Sequence, residues 1–294
     1  MKYLVTSLIL IGLLFPTGLA YAQVKKEKPN YASSETEQII TNMIEAHGGW
    51  DTWSNASSIS YDNVFYNTFA PAGQNPWWVN YEIIEQMGSS RNDQRVFQRF
   101  DLGGPKGGFT MARNGEEVWA SSNWAIGNYP KFMSYFFYYF LNLPWLTQDD
   151  IVQLSAPETA DYKNEKVYKI KMTFSEKPAI GKTKRDWFTL YIDQESHRLV
   201  AYEYAMTYGA QMDIMGMPAS AEFIGPVLRH IDEFVEVDGL LFPARMHTTD
   251  LGESQVYGHH ALINYSITKA FDNALVVKPS DGVTDTSSDH RASN

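Results

Sequence analysis

A chain of 294 residues with a net charge of −10 and no cysteine cannot be built on disulfides or acylated on an N-terminal cysteine. Its negative charge disfavours nucleic acid as a partner and suits a monomer kept apart by self-repulsion. The length fits one large domain, and the aromatic share of 14%, much of it interleaved with polar residues at period two, points to β-sheet.

Lys2, the apolar run from Tyr3 to Phe15 and the small residues of Ala20-Tyr21-Ala22 predict a cleavable signal peptide over 1–22, hence export to the periplasm. The run is broken by Pro16-Thr17-Gly18 and is shorter than the ~20 residues a membrane span needs. Residues 23–33 read as a flexible leader, 34–277 as the folded domain, and 278–294, rich in Ser, Asp and Thr, as a disordered tail.

Ser34 with Glu37 fits a capping box, Ile39, Ile40, Met43 and Ile44 form a stripe at helical spacing, and Gly48-Gly49 supplies a left-handed stop. After Trp50 and Trp53 the period changes to two. Ile59, Tyr61, Asn63, Phe65 and Phe69 share one face of a strand, and Trp77, Val79, Tyr81, Ile83 and Met87 one face of the next. The loop 70–76 makes the two a hairpin. Arg91 to Phe100 continues the meander, and Asn114-Gly115 joins Phe109–Arg113 to Glu117–Ala120. Tyr129 to Leu146 is apolar all round and ends at Pro144, which predicts a helix buried in the core or plugging a cavity. Strands resume over Val167–Phe174, Asp186–Asp193, Leu199–Tyr208, His230–Val237, Ala244–Thr249 and Leu262–Thr268, with turns at Asp193 to His197 and Asp238-Gly239. The count is about eleven strands and two helices without an internal repeat, a sheet curled around helices.

Three stretches carry a family resemblance: the helix ending in Ala46-His47-Gly48-Gly49, the pair Trp187-Phe188-Thr189-Leu190-Tyr191-Ile192-Asp193 and Arg198-Leu199-Val200-Ala201-Tyr202, and Val237-Asp238-Gly239-Leu240-Leu241-Phe242-Pro243. In order and spacing the chain resembles the LolA/LolB-like periplasmic lipoprotein carriers and the exported proteins that share their fold. The resemblance implies a mainly β fold, an incomplete antiparallel barrel whose apolar cavity is covered by helices. It also implies outer-membrane lipoprotein sorting or a related binding role, with lipid or lipoprotein acyl chains as ligand, an envelope protein for delivery or acceptance, and no cofactor. Candidate cavity residues are Tyr61, Phe65, Trp77, Tyr81, Phe136, Phe137, Phe140, Met212, Met215 and Met217. An arginine faces the cavity in the carriers, and Arg91, Arg95 and Arg99 are the candidates here, Arg95 and Arg99 being kept as cavity residues.

Other constellations read as structural. The Met-rich stretch 206–218 is open to three readings, a lid over variable apolar ligands, a Cu(I) site or a plain loop. His247 and His259-His260 lack a recognised ligand spacing, and neighbours on a strand face opposite ways, so no metal site is expected. Gly103 to Gly108 lacks the strand-then-helix setting of a phosphate loop. Asp149-Asp150 read as a solvated loop, and neither a nucleophile elbow nor a cysteine nucleophile is present. The expectation is binding without catalysis. The rival readings are a carbohydrate-binding module using exposed Trp77, Trp78 and Trp124 as stacking platforms, and an unrecognised hydrolase.

Overall fold

A computed structural model describes residues 28–56, 58–67, 78–87, 95–101, 108–115, 117–123, 130–175, 185–207, 212, 224–268 and 271–287. Side chains are described throughout these except at 65–67, 78–87, 95, 98, 100–101, 132, 135–137, 224 and 268. The signal-peptide and leader expectations over 1–27 lie outside them.

Ser33, one residue before the expected cap, opens α1 (Ser34–Ala46) by accepting from the Thr36 backbone N–H. Thr36 passes its own hydroxyl to the Ser155 carbonyl at 3.1 Å, so the cap also anchors the helix to the sheet. Ile39, Ile40, Met43 and Ile44 are buried as the stripe requires. Just before it, β1 (Asn30–Tyr31) pairs in parallel with β7 (Val152–Leu154), so the end of the expected leader is docked. Gly48 and Gly49, both at positive φ, return their amides to Glu45 and Ile44 and stop the helix. A short helix, α2 (Trp50–Asn55), follows where alternation was expected to begin. It brings Trp53 to a parallel stack on Trp145, 5.7 Å between ring centres, and the Trp53 indole donates to Asn142.

The expected hairpin forms from β2 (Ser58–Asn67) and β3 (Trp78–Met87), followed by β4 (Arg95–Asp101), β5 (Phe109–Asn114) and β6 (Glu117–Ala120). The second run adds β8 (Glu158–Tyr162), β9 (Glu165–Phe174), β10 (Trp187–Asp193), β11 (Leu199–Met206), β12 (Ile224–Val237), β13 (Leu240–Thr249) and β14 (Val256–Thr268). Nearly every pairing is between consecutive antiparallel strands. The exception that unites the runs is β14 against β2, which makes one sheet of 15 strands among the described residues, where about eleven are expected. The two ends, β1 at β7 and β15 (Val283–Thr284) at β6, pair with different strands, so among the described residues the sheet does not close, as an incomplete barrel requires.

In the long helix α3 (Pro130–Leu146) every residue from 138 to 145 is buried, so that half of the helix is covered on all sides. Pro144 does not end it. Proline in the last turn removes one amide that would have reached back to residue 140, and the helix needs few further bonds. Among the described residues, no helix is long and apolar enough to cross a membrane. The supposed tail is partly structured: β15 pairs with β6, and buried Asp285 accepts from the Lys131 amide in the first turn of α3. A carboxylate there favours the helix dipole as well as the free amide.

His47 locks the end of α1 to the sheet. Its Nδ1–H donates to the Leu241 carbonyl and its Nε2 accepts from the Leu199 amide, each at 3.1 Å. Burial lowers its pKa to about 4, opposed by the Leu241 bond and assisted by Arg198. In the unfolded chain the ring titrates near 6.5. Between those values the unfolded state binds more protons, so the contribution is fully present above about pH 6.5 and is lost as pH falls toward 4. Its upper limit is about 3 kcal/mol. Urea unfolding at pH 7.5 and 5 should show this loss. His47→Gln should be less stable at pH 7.5 but flatter across that range; an unchanged slope would show that other groups titrate there.

Candidate functional site

Because side chains alternate along strands, register decides which residues meet inside the barrel. Ala201, His230, His247 and His259 stand opposite one another on the outer face of β11 to β14, while Tyr202, Arg229, Met246 and His260 occupy the inner, helix-covered face. Inside, Phe140 and Leu141 of α3 face Tyr61, Arg229, Met246 and His260 across a void of about 10 Å³. That is room for about one water and far less than an acyl chain occupies.

Arg229 is the unexpected member. It is 3% exposed, its guanidinium lies 4.2 Å from the Phe140 ring centre, and Nη2 points at the Tyr204 hydroxyl at 3.5 Å. Taking a guanidinium out of water is costly unless rings and hydroxyls replace the hydration, and Phe140, Tyr202 and Tyr204 provide that setting. Burial raises the Tyr202 hydroxyl far above its usual range, although Arg229 pulls the other way. His260, wholly buried, donates from Nδ1 to Asn63 at 3.1 Å. Burial first, then the Arg229 charge, holds it well below the usual imidazole range, so the site carries one fixed positive charge.

A second inward arginine, Arg113 on β5, donates from Nε to Ser134 of α3 at 3.0 Å and from Nη1 to the Gly115 carbonyl at 2.9 Å. The two cations thus touch the plug helix from two different strands of the sheet.

Among the expected cavity residues, Tyr61 and Phe140 meet at the void. Phe65 stands opposite His260 on β14, in phase with Tyr61. Tyr81 stands opposite Val64, one residue out of phase with them. Phe136 and Phe137 lie on α3 before Phe140, and Met212 is buried. Trp77, Met215 and Met217 lie outside the described residues, as do Arg91 and Trp124. Arg95 stands opposite Met87 and Asn114. Arg99 is exposed and out of phase with buried Val96, so it does not face inward; Arg113 and Arg229 do. The missed signal was phase. Arg113 follows Phe109 and Met111 at period two, and Arg229 sits between Val227 and Ile231, each an arginine in an apolar register.

The remaining expectations separate cleanly. His260 points in while His259 and His247 point out, and among the described residues no three His, Asp or Glu side chains converge as a metal-holding group. Asp149 sits in the turn after α3 and Asp150 is exposed.

No family model matches the chain, and no curated protein sequence matches it. Solved structures resemble it. A DUF1329 family protein from Desulfovibrio piger superposes with a TM-score of 0.52 at 10% identity, over 82% of this chain and 96% of that one. A LolA superfamily protein from Nitrosomonas europaea gives 0.48 at 10% identity, over 82% and 97%. A domain described as an outer membrane lipoprotein-sorting protein from Vibrio parahaemolyticus gives 0.49 at 9% identity, over 81% and 94%. At 10% identity what is shared is the fold alone.

Proposed function

We propose that the chain is an exported, periplasmic binding protein of carrier type, which holds the acyl chain of an amphipathic lipid or lipoprotein on the inner face of its unclosed sheet and catalyses nothing. The observation that supports this most is Arg229. A cation buried on an apolar inner wall, in contact with the aromatic residue of a plugging helix, can exchange ring and hydroxyl contacts for an anionic head group. The surrounding wall of Tyr61, Phe140, Leu141, Met246 and Leu262 is suited to hydrocarbon. The void is too small for a chain, so on this reading loading requires Phe140 and Leu141 to move aside, with α3 standing in for the ligand when the protein is empty. Binding without catalysis is favoured by the buried histidines. His47 and His260 are engaged with backbone groups and an asparagine, and His230 with the hydroxyls of Tyr162 and Thr249.

Titration with a fluorescent fatty acid, competed by unlabelled chains of increasing length, tests the proposal. Each added methylene contributes about 0.8 kcal/mol against water, so affinity should rise roughly fourfold per carbon until the space is filled. Arg229→Gln should weaken fatty acids more than their methyl esters. Affinity indifferent to chain length would remove the proposal.

A further inference from the structure

The outer face of the same sheet carries a row of imidazoles that the binding site does not use. His230 on β12, His247 on β13 and His259 on β14 stand directly opposite one another. The first two rings stack with centres 4.2 Å apart and planes within 6°, and His247 and His259 lie 5.8 Å apart with a 30° tilt. His230 is occupied on both nitrogens, by the Tyr162 hydroxyl at 2.7 Å and the Thr249 hydroxyl at 3.1 Å. His247 differs: its Nδ1 donates to the Asp232 carboxylate at 2.6 Å. That bond fixes the proton on Nδ1 and leaves the lone pair on Nε2, while the His230 stack holds the ring in place. A carboxylate behind an imidazole is how metal-ligating histidines are oriented. Lys163 lies 3.4 Å from the other Asp232 oxygen, which keeps Asp232 behind His247 as its support. His259, across the strand gap, is exposed.

We propose that His247 and His259 form a surface site for one borderline divalent transition-metal ion, Zn²⁺ or Cu²⁺, with His247 coordinating through Nε2 and Asp232 as its positioning residue. Two imidazoles at the usual ~2.0–2.1 Å from one ion have ring centres roughly 4.5–5.5 Å apart. The observed 5.8 Å is closed by a modest rotation of the exposed His259 side chain. Imidazole nitrogen suits both ions, and the chain has no cysteine to compete. Since no third protein ligand converges there among the described residues, water completes the shell.

The test is calorimetric titration of tag-free protein with Zn²⁺, and electron paramagnetic resonance with Cu²⁺. The expected result is one saturable ion per chain, with two-nitrogen coupling to Cu²⁺. His247→Ala and His259→Ala should each abolish it, and Asp232→Asn should weaken it about 10–100-fold. His197→Asn, in the turn after β10, should leave it unchanged, and metal-free melting of each variant separates loss of the site from loss of the fold. Absence of saturable binding in the intact protein, or affinity unaltered by His247→Ala or His259→Ala in folded variants, would overturn the proposal.

Discussion

Gly48→Ala should destabilise the protein by more than about 3 kcal/mol, a substantial fraction of the whole stability of an ordinary domain. Gly48 sits at φ +101°, and a Cβ there would lie 2.1 Å from the Gly239 carbonyl oxygen and 2.9 Å from the Leu240 Cα. Both obstacles are backbone, so relief requires α1 to lift from the turn between β12 and β13. The neighbouring Gly49 provides the control. It too has a positive φ, of +81°, but the atom nearest its added Cβ is a Glu45 carboxylate oxygen at 3.2 Å, the end of a flexible side chain. Gly49→Ala should therefore cost about 1–2 kcal/mol, the strain of the backbone alone. Urea unfolding of both variants decides the matter, and equal losses would show that the approach of Gly48 to Gly239 is not what fixes this corner.

Leu143→Asp should abolish folding outright. Leu143 is 0% exposed in the middle of the eight-residue buried stretch of α3. Truncation to Ala alone costs about 2–5 kcal/mol by lost burial and the cavity left behind. The carboxylate adds the expense of an unpaired charge or of a proton taken up to neutralise it, several kcal/mol more. Together these approach the whole stability of an ordinary domain. Circular dichroism of the purified variant checks this, with Leu143→Ala as the milder companion that should still fold but melt earlier. A folded Leu143→Asp with a melting temperature near that of the parent would mean that α3 does not fill the barrel in solution.

These two sites also show why much of the fold could be read from the sequence. Three stretches that carry the family resemblance meet at His47. Its ring bonds to Leu241 and Leu199, its carbonyl accepts from the Leu241 amide, and Gly48 presses on Gly239. Local signals were sufficient where they were strong. The turn at Asp238-Gly239, with φ of +50° and +80°, and the stripe of α1 needed no distant information. What escaped depended on contacts far away in sequence. Pro144 reads locally as a stop, but burial of Leu143 and Trp145 outweighs one missing hydrogen bond. The polar stretch after Val277 reads as disordered, but β6 offers an unpaired edge and α3 an uncapped amide, and 283–285 satisfy both. The arginines failed for a third reason. β12 begins at Ile224, whereas the sequence suggested His230, so Arg229 fell outside the strand and its apolar phase went unread. On β4 the buried position belongs to Val96, and Arg99 is out of phase with it.

In the proposed function, the inner face, with Arg229 and the aromatic side of α3, takes an acyl chain. Mass spectrometry of the lipids extracted from protein purified out of cells that export it tests this most directly, because no ligand is chosen in advance. The expected result is an amphipathic acyl-chain species in near-stoichiometric amount, diminished in Arg229→Gln if its head group is anionic. Extracts with no acyl-chain species above the level recovered from an unrelated exported protein handled the same way would contradict it.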